Sequence, residues 1–123
     1  MAKNKRSPSP KQPPLDLPAV GPNQVIRLEP AAVLAAGNRV RLVDCRGSSE
    51  RRVMAIVGSI AFDARRFEAD NPNKRVPIVC VSWIGGRSLV AAYRLAKLGY
   101  RVYDLKGGIV AWKLKGYPTV RDF

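Results

Sequence analysis

The sequence predicts an α/β domain of three layers with a mostly parallel central sheet. Short apolar runs alternate with helical patterns along most of the chain, the arrangement that makes βαβ units. One run, Val76-Pro77-Ile78-Val79-Cys80-Val81, is apolar throughout, as a strand buried on both faces must be. It passes through the turn Ser82-Trp83-Ile84-Gly85-Gly86 into a helical pattern opened by Arg87 and Ser88. Leu89, Ala92, Tyr93, Leu95, Ala96 and Leu98 form the apolar face of that helix, with Arg94 and Lys97 left for solvent. A strand that enters a helix through a glycine turn is an anion cradle, because the first amides lack ladder partners and the dipole favours negative charge.

The remaining elements follow in order. Val25 to Leu28 reads as a short strand, and Pro30 suits the first turn of a helix ending near Ala36, before Gly37 and Asn38. Residues 41–45 form a second buried strand, with Asp44 and Arg46 at its C-terminal end, where open parallel sheets place their working groups. Ser48 or Ser49 caps a short helix through residues 50–54. A third strand falls within residues 56–62, after Gly58, and Asp63 caps a helix over residues 64–69. A last strand over residues 101–105 precedes Gly107-Gly108 and a helix over residues 109–114, with Ile109 and Trp112 turned to the sheet.

Composition bounds the chemistry. A chain of 123 residues holds one small domain plus an extension. With no histidine, His-based triads and His-ligated zinc are excluded. Two cysteines, Cys45 and Cys80, have no metal-motif spacing and are too few for a secreted disulfide scaffold, so no metal and no cofactor is expected. Neither a signal-peptide core nor a run of transmembrane length is visible, which makes a soluble cytoplasmic protein the expectation.

Residues 1–24 carry Lys3, Lys5, Arg6 and Lys11 against Asp16, and they hold six of the ten prolines. That stretch reads as a basic, proline-rich disordered tail in which only Leu15, Leu17 and Val20 are suited to touch a domain. Of the formal +13, +10 remains outside the tail, concentrated at Arg39 and Arg41, Arg51 and Arg52, Arg65 and Arg66, and Lys74 and Arg75. No aromatic side chains interleave with these pairs, so any polyanion contact is expected to be weak and non-specific.

Four motifs then make residues 25–119 resemble the rhodanese-like domain family. They are Leu42-Val43-Asp44-Cys45-Arg46, Gly58-Ser59-Ile60-Ala61, Gly85-Gly86-Arg87-Ser88 and Tyr103-Asp104-Leu105-Lys106-Gly107-Gly108-Ile109-Val110-Ala111-Trp112. The resemblance implies a domain over residues 25–119, with 120–123 as a short extension. It also implies a persulfide-carrying cysteine five residues before the loop arginine. Counting back five from Arg87 reaches Ser82, while Cys80 lies seven residues before it. Where the family often has Gly-His-Ile-Pro-Gly, this chain has Met54-Ala55-Ile56-Val57-Gly58.

Serine cannot store sulfane sulfur, and without a histidine it has no evident base. The expectation is therefore a non-catalytic binding or regulatory domain, with Ser82 as a degenerate nucleophile position hydrogen-bonding the loop amides. Asp44, Arg46, Trp83, Ile84, Gly85, Gly86, Arg87 and Ser88 would form the loop and pocket, and a protein partner would dock at Trp83-Ile84. Trp83 and Ile84 are either an exposed anchor or the filling of the former pocket. Two alternatives stand beside this reading: a sulfurtransferase using Cys80, or less readily Cys45, through a displaced loop, and a polyanion-binding accessory protein.

Overall fold

The computed structural model describes residues 15–86 and 88–121. In chain order the elements are β1 (Val25–Leu28), α1 (Pro30–Ala36), β2 (Arg41–Asp44), α2 (Ser48–Val53), β3 (Ala55–Ile56), β4 (Ile60–Ala61), α3 (Phe67–Asp70), β5 (Ile78–Val81), α4 (Leu89–Lys97), β6 (Val102–Leu105), α5 (Gly108–Leu114) and β7 (Thr119–Val120), with a 3-10 turn at Gly37–Arg39. Five strands form a parallel sheet in the order β1-β6-β5-β2-β4. The predicted α/β class and parallel sheet are therefore present. A second, antiparallel pair, β3 with β7, had no expectation behind it, because two-residue strands carry too little periodicity to be read.

Alternation along the strands sorts the core into two layers. Leu42, Val79, Val81, Tyr103 and Leu105 face one side, with Val33 and Ala36 of α1 and Ile109 and Trp112 of α5. Val43, Ile78, Cys80 and Val102 face the other, against Phe67 of α3 and Ala92, Leu95 and Ala96 of α4. The predicted face of α4 needs one correction. Ala91 is buried, while Tyr93 and Leu98 are 46% and 43% exposed, because alanines let the helix sit close to the sheet and turn the larger side chains outward. The predicted 64–69 helix contracts to α3, preceded by a turn in which the Asp63 carbonyl accepts from the amides of Arg66 and Phe67.

Much of the expected tail, residues 1–14, lies outside the described residues. The part that is described packs: Leu15, Leu17 and Val20 rest on the α1–α5 layer, and the Tyr103 hydroxyl donates to the Pro18 carbonyl at 2.5 Å. Among the described residues no helix is long and apolar enough to cross a membrane.

The element that positions the loop after β5 is α5. Its first amides have no partners within the helix, and two of them reach into that loop: Ile109 N–H donates to the Ser82 carbonyl at 2.8 Å and Val110 N–H to the Trp83 carbonyl at 2.9 Å. Contact this close requires Gly108, whose φ is +62° and whose added Cβ would lie 2.5 Å from both the Ser82 and Trp83 carbonyl oxygens. Gly108→Ala is expected to destabilise the domain by about 2–4 kcal/mol, from left-handed backbone strain plus overpacking. Urea unfolding measures it; a loss under about 0.5 kcal/mol, the size of an ordinary surface change, would contradict the docking.

Candidate functional site

The strands of the five-stranded sheet are all parallel, so the C-terminal ends of β2, β5 and β6 lie along one end of that sheet, and most of the predicted site residues gather there. They divide between its two faces. Arg87 lies outside the described residues.

On the α5 face, Asp44 ends β2 as a buried carboxylate held by two arginines. Arg46 grips it through both oxygens, Nε to Oδ1 at 3.0 Å and Nη2 to Oδ2 at 2.8 Å, and its own amide donates to Oδ1 at 2.9 Å. Arg51 Nη1 adds a 3.1 Å bond to Oδ2 and another to Ser59 Oγ. Arg46 also donates to the Met54 carbonyl at 2.5 Å, so the pair ties β2 to the segment before β3. The Arg46 guanidinium is 2% exposed and lies 4.6 Å from the centre of the Trp83 ring. The Trp83 indole N–H donates to Glu50, whose other oxygen accepts the Gly47 amide at 2.8 Å. Trp83 is thus folded inward and clasped, while Ile84 projects from the loop, 70% exposed. The two readings of Trp83-Ile84 each describe one residue.

On the α4 face sits a buried Ser82–Ser88–Asp104 cluster. Ser82 Oγ accepts the Gly85 amide at 2.9 Å and lies 3.4 Å from Ser88 Oγ, and the Ser88 hydroxyl donates to Asp104 Oδ1. This is the hydroxyl-to-amide turn expected of a serine at that position. Ser82, Ser88 and Asp104 are 3%, 0% and 0% exposed, so the Ser82 hydroxyl is sealed. Asp104 Oδ2 has no hydrogen-bond partner and faces Arg27 Nε, its cross-strand neighbour, at 3.6 Å. Burial pushes the Asp104 carboxyl above the ordinary aspartate range; the Ser88 hydroxyl, Arg27 and the Gly86 amide offset part of that shift.

Cys80 lies one strand repeat below Ser82, fully buried. Its thiol pKa is pushed well up, first by the hydrogen bond it shares with Cys45, then by burial and by the nearby charges of Cys45 and Asp104. Cys45 is half-buried and unpaired, as Cys80 is.

Sequence reasoning missed Glu50, Arg51, Asp104 and Arg27. Asp104 carried a signal: it is a charged residue inside an otherwise apolar strand, beside the glycine pair. Arg51 and Glu50 carried none, since a two-turn polar helix looks solvated until its neighbours are placed. The paired basic residues also shrink as a polyanion surface. Arg51 serves Asp44, Arg66 faces Asp70 at 3.4 Å, and Lys74 joins Glu68 and the Leu98 carbonyl. A groove of about 510 Å³, whose lining includes Val33, Arg41, Leu42, Ile60, Val76 and Trp112, contains no residue of the Asp44 clamp or the serine cluster.

Asp104 makes stability depend on pH in a stated direction. Its folded pKa is raised, so the stability it contributes is complete below its unfolded pKa of about 3.9 and is lost as pH rises through the higher folded value. Asp104→Asn removes that slope. In urea unfolding from pH 3 to 7, the wild type should lose stability relative to the variant as pH rises. A gap that is constant, or that moves the other way, would contradict the assignment.

The comparisons with known proteins agree with this geometry. The rhodanese-like domain profile matches residues 29–115. The chloroplastic Rhodanese-like/PpiC domain-containing protein 12 of Arabidopsis thaliana is 30% identical over 95 residues, 70% of this chain and 31% of that protein. This chain therefore spans about a third of the length of that relative. A rhodanese-related protein from Thermoplasma volcanium superposes with a TM-score of 0.69 at 24% identity, covering 77% of this chain and 97% of the other. A thiosulfate sulfurtransferase from Pseudomonas aeruginosa gives 0.66 at 20% identity, covering 94% of this chain and 21% of the other. At these identities the superpositions establish the fold. Together with the profile match over most of its length, they place this chain in the rhodanese-like domain family.

Proposed function

We propose that this domain is a non-catalytic rhodanese-like module that binds or regulates a protein partner. The observation that carries the reading is the Ser82 hydroxyl, buried and bonded to Gly85 N–H, at the place where counting five residues back from Arg87 puts the family's sulfur carrier. A sulfur carrier needs a reachable thiolate facing loop amides. Cys80, the alternative, is sealed and holds its proton well above neutral pH, which argues against the displaced-loop sulfurtransferase. Ile84 is the proposed contact, an exposed apolar side chain at the tip of a loop braced from both sides. Two unpaired thiols fit a reducing compartment such as the cytoplasm. Polyanion contact through the remaining exposed arginines would be weak and would fade with salt.

The test is sulfur loading of the native protein. After treatment with thiosulfate or a thiol persulfide donor, mass spectrometry should find no stoichiometric added sulfur on Cys80, and thiol reagents should label Cys80 far more slowly than Cys45. One extra sulfur on Cys80, with turnover to cyanide abolished by Cys80→Ser, would replace this reading with the sulfurtransferase.

A further inference from the structure

The groove of about 510 Å³ belongs to no part of the reading above, and it lies at the opposite end of the sheet from the loop after β5. Arg41 and Ile60, the first residues of β2 and β4, line it together with Val76, just before β5. Val33 of α1, Leu42 of β2 and Trp112 of α5 bring the apolar core to it. Leu34 and Val57 also line it, and they are 42% and 48% exposed. Small-molecule sites occupy about 300–1,000 Å³ and combine apolar walls with a few placed polar groups.

The charge in this groove has one sign. Among the described residues that line it there is no carboxylate, and Arg41 is the one charged side chain. Arg41 Nη1 is buried without a hydrogen-bond partner, and no ion pair joins Arg41 to a described carboxylate. Folded proteins rarely leave a buried charged donor without an acceptor. Its position is set by the backbone: the Arg41 amide donates to the Pro77 carbonyl at 2.8 Å, and Arg41 stands opposite Ile78 in the pairing of β2 with β5. Arg39 and Arg75, chain neighbours of the lining residues Val40 and Val76, add positive charge at the same end of the sheet. Trp112 has its indole N–H committed to the Pro118 carbonyl at 2.9 Å, so its ring offers the groove apolar surface.

We propose that this groove binds a small amphipathic carboxylate, its apolar chain or ring against Leu42, Val57 and Trp112 and its head paired with Arg41. The carboxylate supplies the acceptor that the guanidinium lacks, in the planar geometry the guanidinium fork matches. Since Arg41 is in no ion pair, turning it to meet the head breaks none. A single charged lining residue selects a single anionic head, and the apolar walls select against a ligand that is charged throughout.

The experiment is a titration of the full chain, 15N-labelled, with octanoate, followed by calorimetry and amide chemical shifts. The expected result is one saturable site, with shifts at Leu34, Asn38, Val57 and Gly58 and none at Gly85 or Ile109. Acetate, which lacks the apolar body, should not bind. Octanol should bind the wild type about 10-fold or more weaker than octanoate, the loss of one charge-assisted hydrogen bond. Arg41→Gln should weaken octanoate by the same factor and leave octanol unchanged, a split that a merely structural role would not produce. The octanol comparison needs no variant, so it decides the matter even if Arg41→Gln fails to fold. Four results would overturn the proposal: no saturable binding by the wild type, equal affinity for octanol and octanoate, shifts that map away from the groove, or octanoate binding unchanged in a folded Arg41→Gln protein.

Discussion

The site depends on the grip of the α5 N-terminus on the loop after β5. Two helix amides that would otherwise be orphaned hold the carbonyls of Ser82 and Trp83 at 2.8 and 2.9 Å. That grip fixes the backbone at the point where the chain leaves the sheet, and the side-chain directions follow from strand alternation. Ser82 is sent to the α4 face, where Gly85, Ser88 and Asp104 meet it. Trp83 is sent to the α5 face, where Arg46 and Glu50 receive it. Gly108 is the local condition for all of this, since any side chain there would strike the two carbonyls being held.

The two polar networks do different work. Asp44, Arg46 and Arg51 form a buried ion cluster, and in such clusters the loss of one member commonly costs about 3–5 kcal/mol because the remaining charges stay buried and unpaired. It is a structural clamp joining β2, α2 and the segments around β3 and β4. Each network keeps one buried polar atom without a hydrogen bond: Arg46 Nη1 in the clamp, and in the serine cluster the second Asp104 oxygen, which has only Arg27 at 3.6 Å. The clamp with Trp83 laid over it covers one side of the loop, and the serine cluster closes the other. Among the described side chains of the loop, Ile84 is left outside.

The fold was legible because its signals are periodic and strong. The all-apolar run at β5, Pro30 opening α1 and the Gly107-Gly108 turn before α5 each have a mechanism that survives into the structure. Where the reading slipped, tertiary contact had decided the matter. Tyr93 and Leu98 fit the helical period but lie outside, since the alanines of α4 set how close the helix approaches. The β3–β7 pair was invisible because two residues carry no alternation, and its partners are far apart in the chain. Of the site, the sequence-readable part was what glycine spacing and strand ends dictate: Asp44, Arg46, Ser82, Trp83 and the loop glycines. Glu50, Arg51 and Arg27 became part of it only through neighbours brought from other elements, which no local pattern encodes.

The central claim is that this loop is a closed structural unit. Native-state amide hydrogen exchange at Ile109, Val110 and Gly85 tests it most directly, because those three N–H groups hold the loop shut. The account predicts that they exchange as slowly as the amides of β5, through openings close in free energy to global unfolding. Exchange at rates typical of a mobile surface loop, with β5 still protected, would show that the loop opens on its own and would contradict the closed site.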